Sequence, residues 1–151
     1  MIEPTLREVV KSDAGDLTQL FLYCFNGPPW NDGWSREAAE ERLDGLMTAP
    51  HFRGYLAVYE SRVVGMLLGQ KERWVHDYHF NLQEMCVLPS MQRSGVGTAL
   101  MRHAQGALLG ENVDKVYLIT APGDAAEAFY GKLGFYKSRG RIVMGFPLRG
   151  P

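Results

Sequence analysis

Apolar residues recur along the chain in two rhythms, one helical and one alternating. Leu17, Leu20, Phe21 and Cys24 fall three or four apart, the spacing of one buried helix face, with Ser12 or Asp13 available as the cap. The stretch "NGPPWNDGWS" ends that helix, because adjacent prolines and glycines cannot continue it. Ser35 then caps a second helix whose apolar stripe is Ala39, Leu43, Leu46 and Met47. Residues 53–60 and 63–72, joined across Ser61 and Arg62, read as a hairpin, and 79–88 as a further strand that stops at Pro89. From Val96 the positions Ala99, Leu100, His103 and Ala107 mark an amphipathic helix, with His103 a packing residue on its apolar face. Residues 5–10 and 115–120 are short strands, and 123–135 is a helix with Asp124 and Glu127 spaced as a capping box. Residues 136–148 predict a closing hairpin that turns at Gly140. The order is strand, two helices, three strands, helix, strand, helix, two strands. It predicts an α/β (α+β) sandwich on a mixed sheet of about seven strands with about four helices.

Composition narrows the possibilities. A chain of 151 residues without linker, repeat or low-complexity run reads as one domain, residues 1–151. Its formal net charge of -1 lacks the basic excess of a general nucleic-acid binder. The start "MIEPTLREVV" lacks the basic and apolar regions of a signal peptide, and no apolar run approaches a bilayer span. A cytoplasmic protein with no membrane partner is expected. Cys24 and Cys86 form no CxxC pair and read as buried free thiols. His76, Asp77 and His79 have no accompanying ligand cluster, so no metal is expected.

Candidate chemistry concentrates where the strand at 79–88 gives way to the helix from Val96. "QRSGVG" opens that helix, whose first backbone N–H groups are unpaired and carry partial positive charge. Glycines there let a phosphate approach the backbone, and Arg93 adds a cation. A P-loop needs Gly-Lys-Ser/Thr, but Thr98 and Ala99 follow Gly97. A dinucleotide fingerprint needs a third glycine where Leu100 stands. A plain strand-to-helix connection remains the alternative.

"VLPSMQRSGVGTAL" resembles the acetyl-CoA signature of the GNAT N-acetyltransferase superfamily, Gln/Arg-x-x-Gly-x-Gly/Ala, through Gln92, Gly95 and Gly97. "AEAFYGKLGF" is similar to the family's second segment through Ala126, Phe129, Tyr130, Lys132, Gly134 and Phe135. The resemblance spans essentially the whole chain. It departs at Gly123, where the family often has an asparagine that touches the pantetheine arm. It implies a mostly antiparallel sheet splayed at its central strands. It also implies acetyl transfer from acetyl-CoA directly to an amine, with Cys86, Val87, Gln92, Arg93, Ser94, Gly95, Val96, Gly97 and Thr98 holding the donor.

Direct transfer sets three chemical requirements. An alkyl ammonium with a pKa of about 10.4 must lose a proton before attack. Glu84 lies on the same nominal face as Leu82, Cys86 and Leu88, so it either lines a cleft as the base or pairs with a basic neighbour. The departing thiolate needs an acid, and Tyr130 stands where many family members donate one. The oxyanion needs a donor, supplied by a backbone N–H near Cys86 or Val87, which leaves Cys86 itself a core residue and not a nucleophile. For the acceptor, Trp30, Asp32 and Trp34 offer an aromatic wall with an anion, or else a loop that seals the core edge. Asp77 and His79 are further candidates. The expected acceptor is a small-molecule primary amine. The alternatives are a protein lysine or N-terminal acetyltransferase and a non-catalytic acyl-CoA-binding module. Edge strands near the C-terminus are compatible with a homodimer.

Overall fold

A computed structural model describes residues 1–150, which fall into two compact units, one from Met1 to Ile119 and one beginning at Thr120. The first unit is a five-stranded sheet in the order β1 to β5. The strands are β1 (Thr5–Glu8), β2 (Phe52–Tyr59), β3 (Arg62–Arg73), β4 (Tyr78–Val87) and β5 (Val113–Tyr117). Neighbours up to β4 are antiparallel, and β5 joins β4 in parallel. A parallel neighbour requires a crossover, and here it is the helix α3 (Val96–Leu109).

Two helices, α1 (Ala14–Asn26) and α2 (Arg36–Met47), cover one face of the sheet. Their stripes Leu17, Leu20, Phe21, Cys24, Ala39, Leu43 and Leu46 pack with Leu56, Met66 and Leu68. Gly65 lies on the other face, where an added Cβ would touch Leu100 and Val96 of α3 at 3.4 Å. With both faces covered, β3 reads as an apolar run from Val63 to Leu68 and not as a clean alternation. Ser35 caps α2 as expected, accepting from the Ala38 N–H at 3.0 Å. Asp13 precedes α1 but does not cap it. Its carboxylate instead takes two N–H bonds from Arg7 at 2.9 Å and one from Val10 N at 2.7 Å.

The second unit contains α4 (Ala125–Lys132), whose N-cap Asp124 accepts from the backbone N–H groups of Ala126 and Glu127. Glu127 reaches back to Gly123 N and also pairs with Lys137 at 2.8 Å. The hairpin predicted over 136–148 does not form. Ile142, Val143, Met144, Phe146 and Leu148 are 73–93% exposed and belong to no strand. The sheet therefore has five strands and not seven. Alternation alone cannot make a strand where no ladder partner is paired to it. No helix among the described residues is long and apolar enough to cross a membrane.

Candidate functional site

Three irregularities of β4 and its neighbours build the site. The first is a bulge. Leu68 pairs with Glu84 and Gly69 with Leu82, so Gln83 has no partner on β3. Cross-strand partners share a face. Leu82 therefore goes with Gly69 toward the α3 side, while Glu84 goes with Leu68 toward α1 and α2. This corrects the simple alternation that put Leu82 and Glu84 on one face. Gly69 accommodates the bend, since a Cβ there would fall 2.2 Å from the carbonyl oxygen of Asn81.

The second irregularity is the divergence of β4 from β5. Their pairing runs only from Tyr78 with Val113 to Asn81 with Tyr117. Beyond Asn81 the β5-side edge of β4 has no ladder partner among the described residues, in keeping with the splay that the family resemblance implies.

The third is the turn into α3. Gly95 is its N-cap with φ +89°, a left-handed conformation that other residues adopt at a cost, and no side chain caps the helix. The opening N–H groups are thus left to an anion or water. A Cβ at Gly95 would also meet the Met1 methyl at 2.3 Å. Arg93 has a positive φ of 62°, and the Ser94 hydroxyl donates to the Met91 carbonyl. Gln92 Nε2 donates to the Val87 carbonyl at 3.2 Å, so its side chain ties the turn to the end of β4.

Glu84 lies at the wall of a cleft of about 240 Å³ that it shares with Arg42, Gln70 and Gln83. It is 7% exposed. Arg42 Nε donates to its Oε1 at 2.5 Å. Burial pushes the Glu84 carboxyl above the ordinary range, Arg42 opposes this, and the charge of Asp32 adds to it. Arg42 was not anticipated. In the sequence it is one polar position beside the α2 stripe, and the only signal was that a buried carboxylate needs a cation.

Trp34 and Asp32 join this site. The Arg42 guanidinium stands over the Trp34 ring at 5.5 Å, and Trp34 Nε1 donates to Asp32 at 3.1 Å. Asn26 clamps the Trp34 backbone through bonds of 2.9 Å and 2.6 Å. Asp32, Gly33, Trp34, Ser35 and Ala38 line a second cleft of about 450 Å³. Trp30 packs on Phe25 at 6.1 Å.

Asp77 and His79 lie elsewhere. Asp77 lies in the β3–β4 turn and His79 at the start of β4, five residues from Glu84, or roughly 16 Å at strand rise. There His79 stacks on Trp74 at 4.6 Å, 3.8 Å from Asp77. His103 packs edge-on against Tyr55, as its place on an apolar helix face implies.

The Cys24 thiol donates to the Val87 carbonyl at 3.7 Å, and the neighbouring Cys24 thiol together with burial pushes the Cys86 thiol well above its ordinary range. A raised thiol pKa disfavours the thiolate form at Cys86. In the second unit, the Tyr130 ring packs between Phe129 at 5.3 Å and Phe135 at 5.4 Å. No group of three or more potential metal ligands occurs among the described residues.

Residues 17–135 match the acetyltransferase (GNAT) family. No curated protein matches the sequence. Among solved structures, a "possible acetyltransferase" from Clostridium difficile 630 superposes with a TM-score of 0.81 at 15% identity, covering 96% of this chain and 98% of its own. An aminoglycoside N-acetyltransferase in complex with CoA gives 0.76 at 17% identity, covering 97% and 95%. An aminoglycoside acetyltransferase from an uncultured soil metagenomic sample, in complex with sisomicin, gives 0.76 at 16%, covering 95% of each. At these identities the likeness is one of fold.

Proposed function

The chain belongs to the acetyltransferase (GNAT) family, and on that premise we propose that it transfers an acetyl group from acetyl-CoA directly to a primary amine of a small molecule. The observation that carries this reading is Glu84, a carboxylate with its pKa raised by burial, at the wall of a cleft on the strand that leads into the uncapped start of α3. A base for an ammonium must be ionised yet retain affinity for a proton, and burial supplies that affinity.

In this reading the backbone of Ser94, Gly95, Val96, Gly97 and Thr98 holds the pyrophosphate of the donor at the helix N-terminus, and Arg93 supplies a cation. Gln92 fixes the end of β4 through the Val87 carbonyl. A backbone N–H near Cys86 or Val87, on the open edge of β4, takes the developing oxyanion. Glu84 accepts the amine proton directly or through water. The nitrogen then bonds to the acetyl carbon and sheds its second proton to water, the carbon–sulfur bond breaks, and the Tyr130 hydroxyl protonates the leaving thiolate and regains its own proton from solvent. The role of Tyr130 rests on the motif it shares with Phe129, Lys132, Gly134 and Phe135.

The test is release of free thiol from acetyl-CoA by the purified protein with a panel of amines. Amine-dependent release, with the N-acetyl product identified by mass, is the expected result. Tight acetyl-CoA binding without turnover on any amine overturns the enzyme reading in favour of a binding module.

A further inference from the structure

The cleft beside Glu84 has a charge pattern that narrows the acceptor. Glu84 and Arg42 are its only charged lining residues, one of each sign, and Gln70 and Gln83 add neutral polar groups. Arg42 uses Nε on Glu84, and neither of its Nη nitrogens has an acceptor among the described residues. Its side chain is half exposed, while that of Glu84 is 8% exposed. Seating over the Trp34 ring at 5.5 Å steadies the guanidinium plane. A planar cation with spare paired N–H donors fits a carboxylate bidentately, which a point charge does not.

We infer that the acceptor is an aminocarboxylate, with its amine delivered to Glu84 and its carboxylate held by the Nη groups of Arg42. Arg42 is then a specificity-determining residue, and this assignment rests on the reading of Glu84 as the base. A polycation is poorly matched, because its second ammonium finds no second carboxylate in this cleft and meets the guanidinium instead. Asp32 reaches Glu84 only through its charge and does not line this cleft. It is engaged by Trp34 Nε1 and lines the other cleft.

The test compares acceptors that differ only in the carboxylate: L-lysine with cadaverine, L-phenylalanine with phenethylamine, and β-alanine with ethylamine, with spermidine as a polycation. Thiol release should show kcat/KM at least about tenfold higher for the carboxylated member of one or more pairs. Arg42→Gln should bring that ratio close to one, mainly through a higher KM, and Arg42→Lys should leave an intermediate ratio. Equal losses on both members of a pair in Arg42→Gln overturn the proposal, since a mere partner of Glu84 would affect both alike. A preference for spermidine or the decarboxylated amines also overturns it. If no amine is turned over, the acetyl-transfer reading has failed, and equilibrium binding of the same pairs in the presence of CoA decides the Arg42 assignment. Tighter binding of the carboxylated member, lost in Arg42→Gln, supports it, and equal binding overturns it.

Discussion

Arg42 Nε lies 2.5 Å from Oε1 of Glu84, so a half-exposed guanidinium on α2 closes over a carboxylate on β4 that water barely reaches. Burial raises the Glu84 pKa and Arg42 lowers it, and burial prevails. If Glu84 is the base, kcat/KM falls on the acid side at a pH above the ordinary carboxylate value of about 4.3. Arg42→Gln should move that limb further toward neutral pH, because the opposing cation is gone. Glu84→Gln should remove the limb and lower kcat by roughly 100-fold. A limb that persists in Glu84→Gln assigns the base to another group.

Tyr130→Phe should leave the fold and acetyl-CoA affinity in place while lowering kcat by roughly 100-fold, the scale of a lost general acid. The substitution keeps the ring that packs on Phe129 and Phe135. A thioester donor with a more acidic leaving thiol should recover part of the loss. Unchanged turnover removes Tyr130 from the chemistry.

Gly95→Ala should destabilise the protein by about 1–2 kcal/mol, because φ +89° carries a left-handed penalty for any residue with a Cβ. The Met1 methyl is the end of a flexible chain and can swing away, so the backbone term dominates. Gly106→Ala on the same helix, where a Cβ meets nothing within 4 Å, should instead stabilise by about 0.5–1 kcal/mol. Urea melts of the two variants check the opposite signs, and acetyl-CoA titration should show weaker binding in Gly95→Ala alone.

Asp13 gives a stability prediction with a defined pH window. The hydrogen bonds from Arg7, helped by that of Val10, hold its carboxyl below the ordinary range despite burial. A depressed folded pKa contributes stability above the unfolded value of about 3.9 and loses it as pH falls toward the folded one. Asp13→Asn should therefore cost about 1–2 kcal/mol at pH 6, discounted because Arg7 is itself partly solvated. The gap between wild type and variant should close below about pH 4. A gap unchanged at low pH would contradict the ion-pair account.

Much of this was legible before the fold was known, for reasons that differ by element. The helix starts at Ser35 and Asp124 were readable because capping is a local exchange between a side chain and N–H groups two or three residues away. Glu84 stood out because a carboxylate among apolar strand positions demands an explanation. Its true face did not, since one extra residue at Gln83 reverses an alternation that looks unbroken in sequence. Arg42 was invisible for a similar reason. The sequence said that Glu84 needs a cation, and only the packing of α2 on β4 selects which one. Residues 136–148 went the other way. Their apolar content reads as strand, yet strand formation depends on a partner that no local pattern specifies.

The divergence of β4 from β5 has a consequence for hydrogen exchange. Past the bulge, from Glu84 to Val87, one set of amides bonds to β3, and the alternate set points toward the gap. Exchange along this single strand should therefore alternate residue by residue between slow and fast. The slow amides would serve as an internal reference in the same stretch of chain. A donor that seats its carbonyl against the open edge would announce itself by slowing one of the fast positions, before any acceptor is identified.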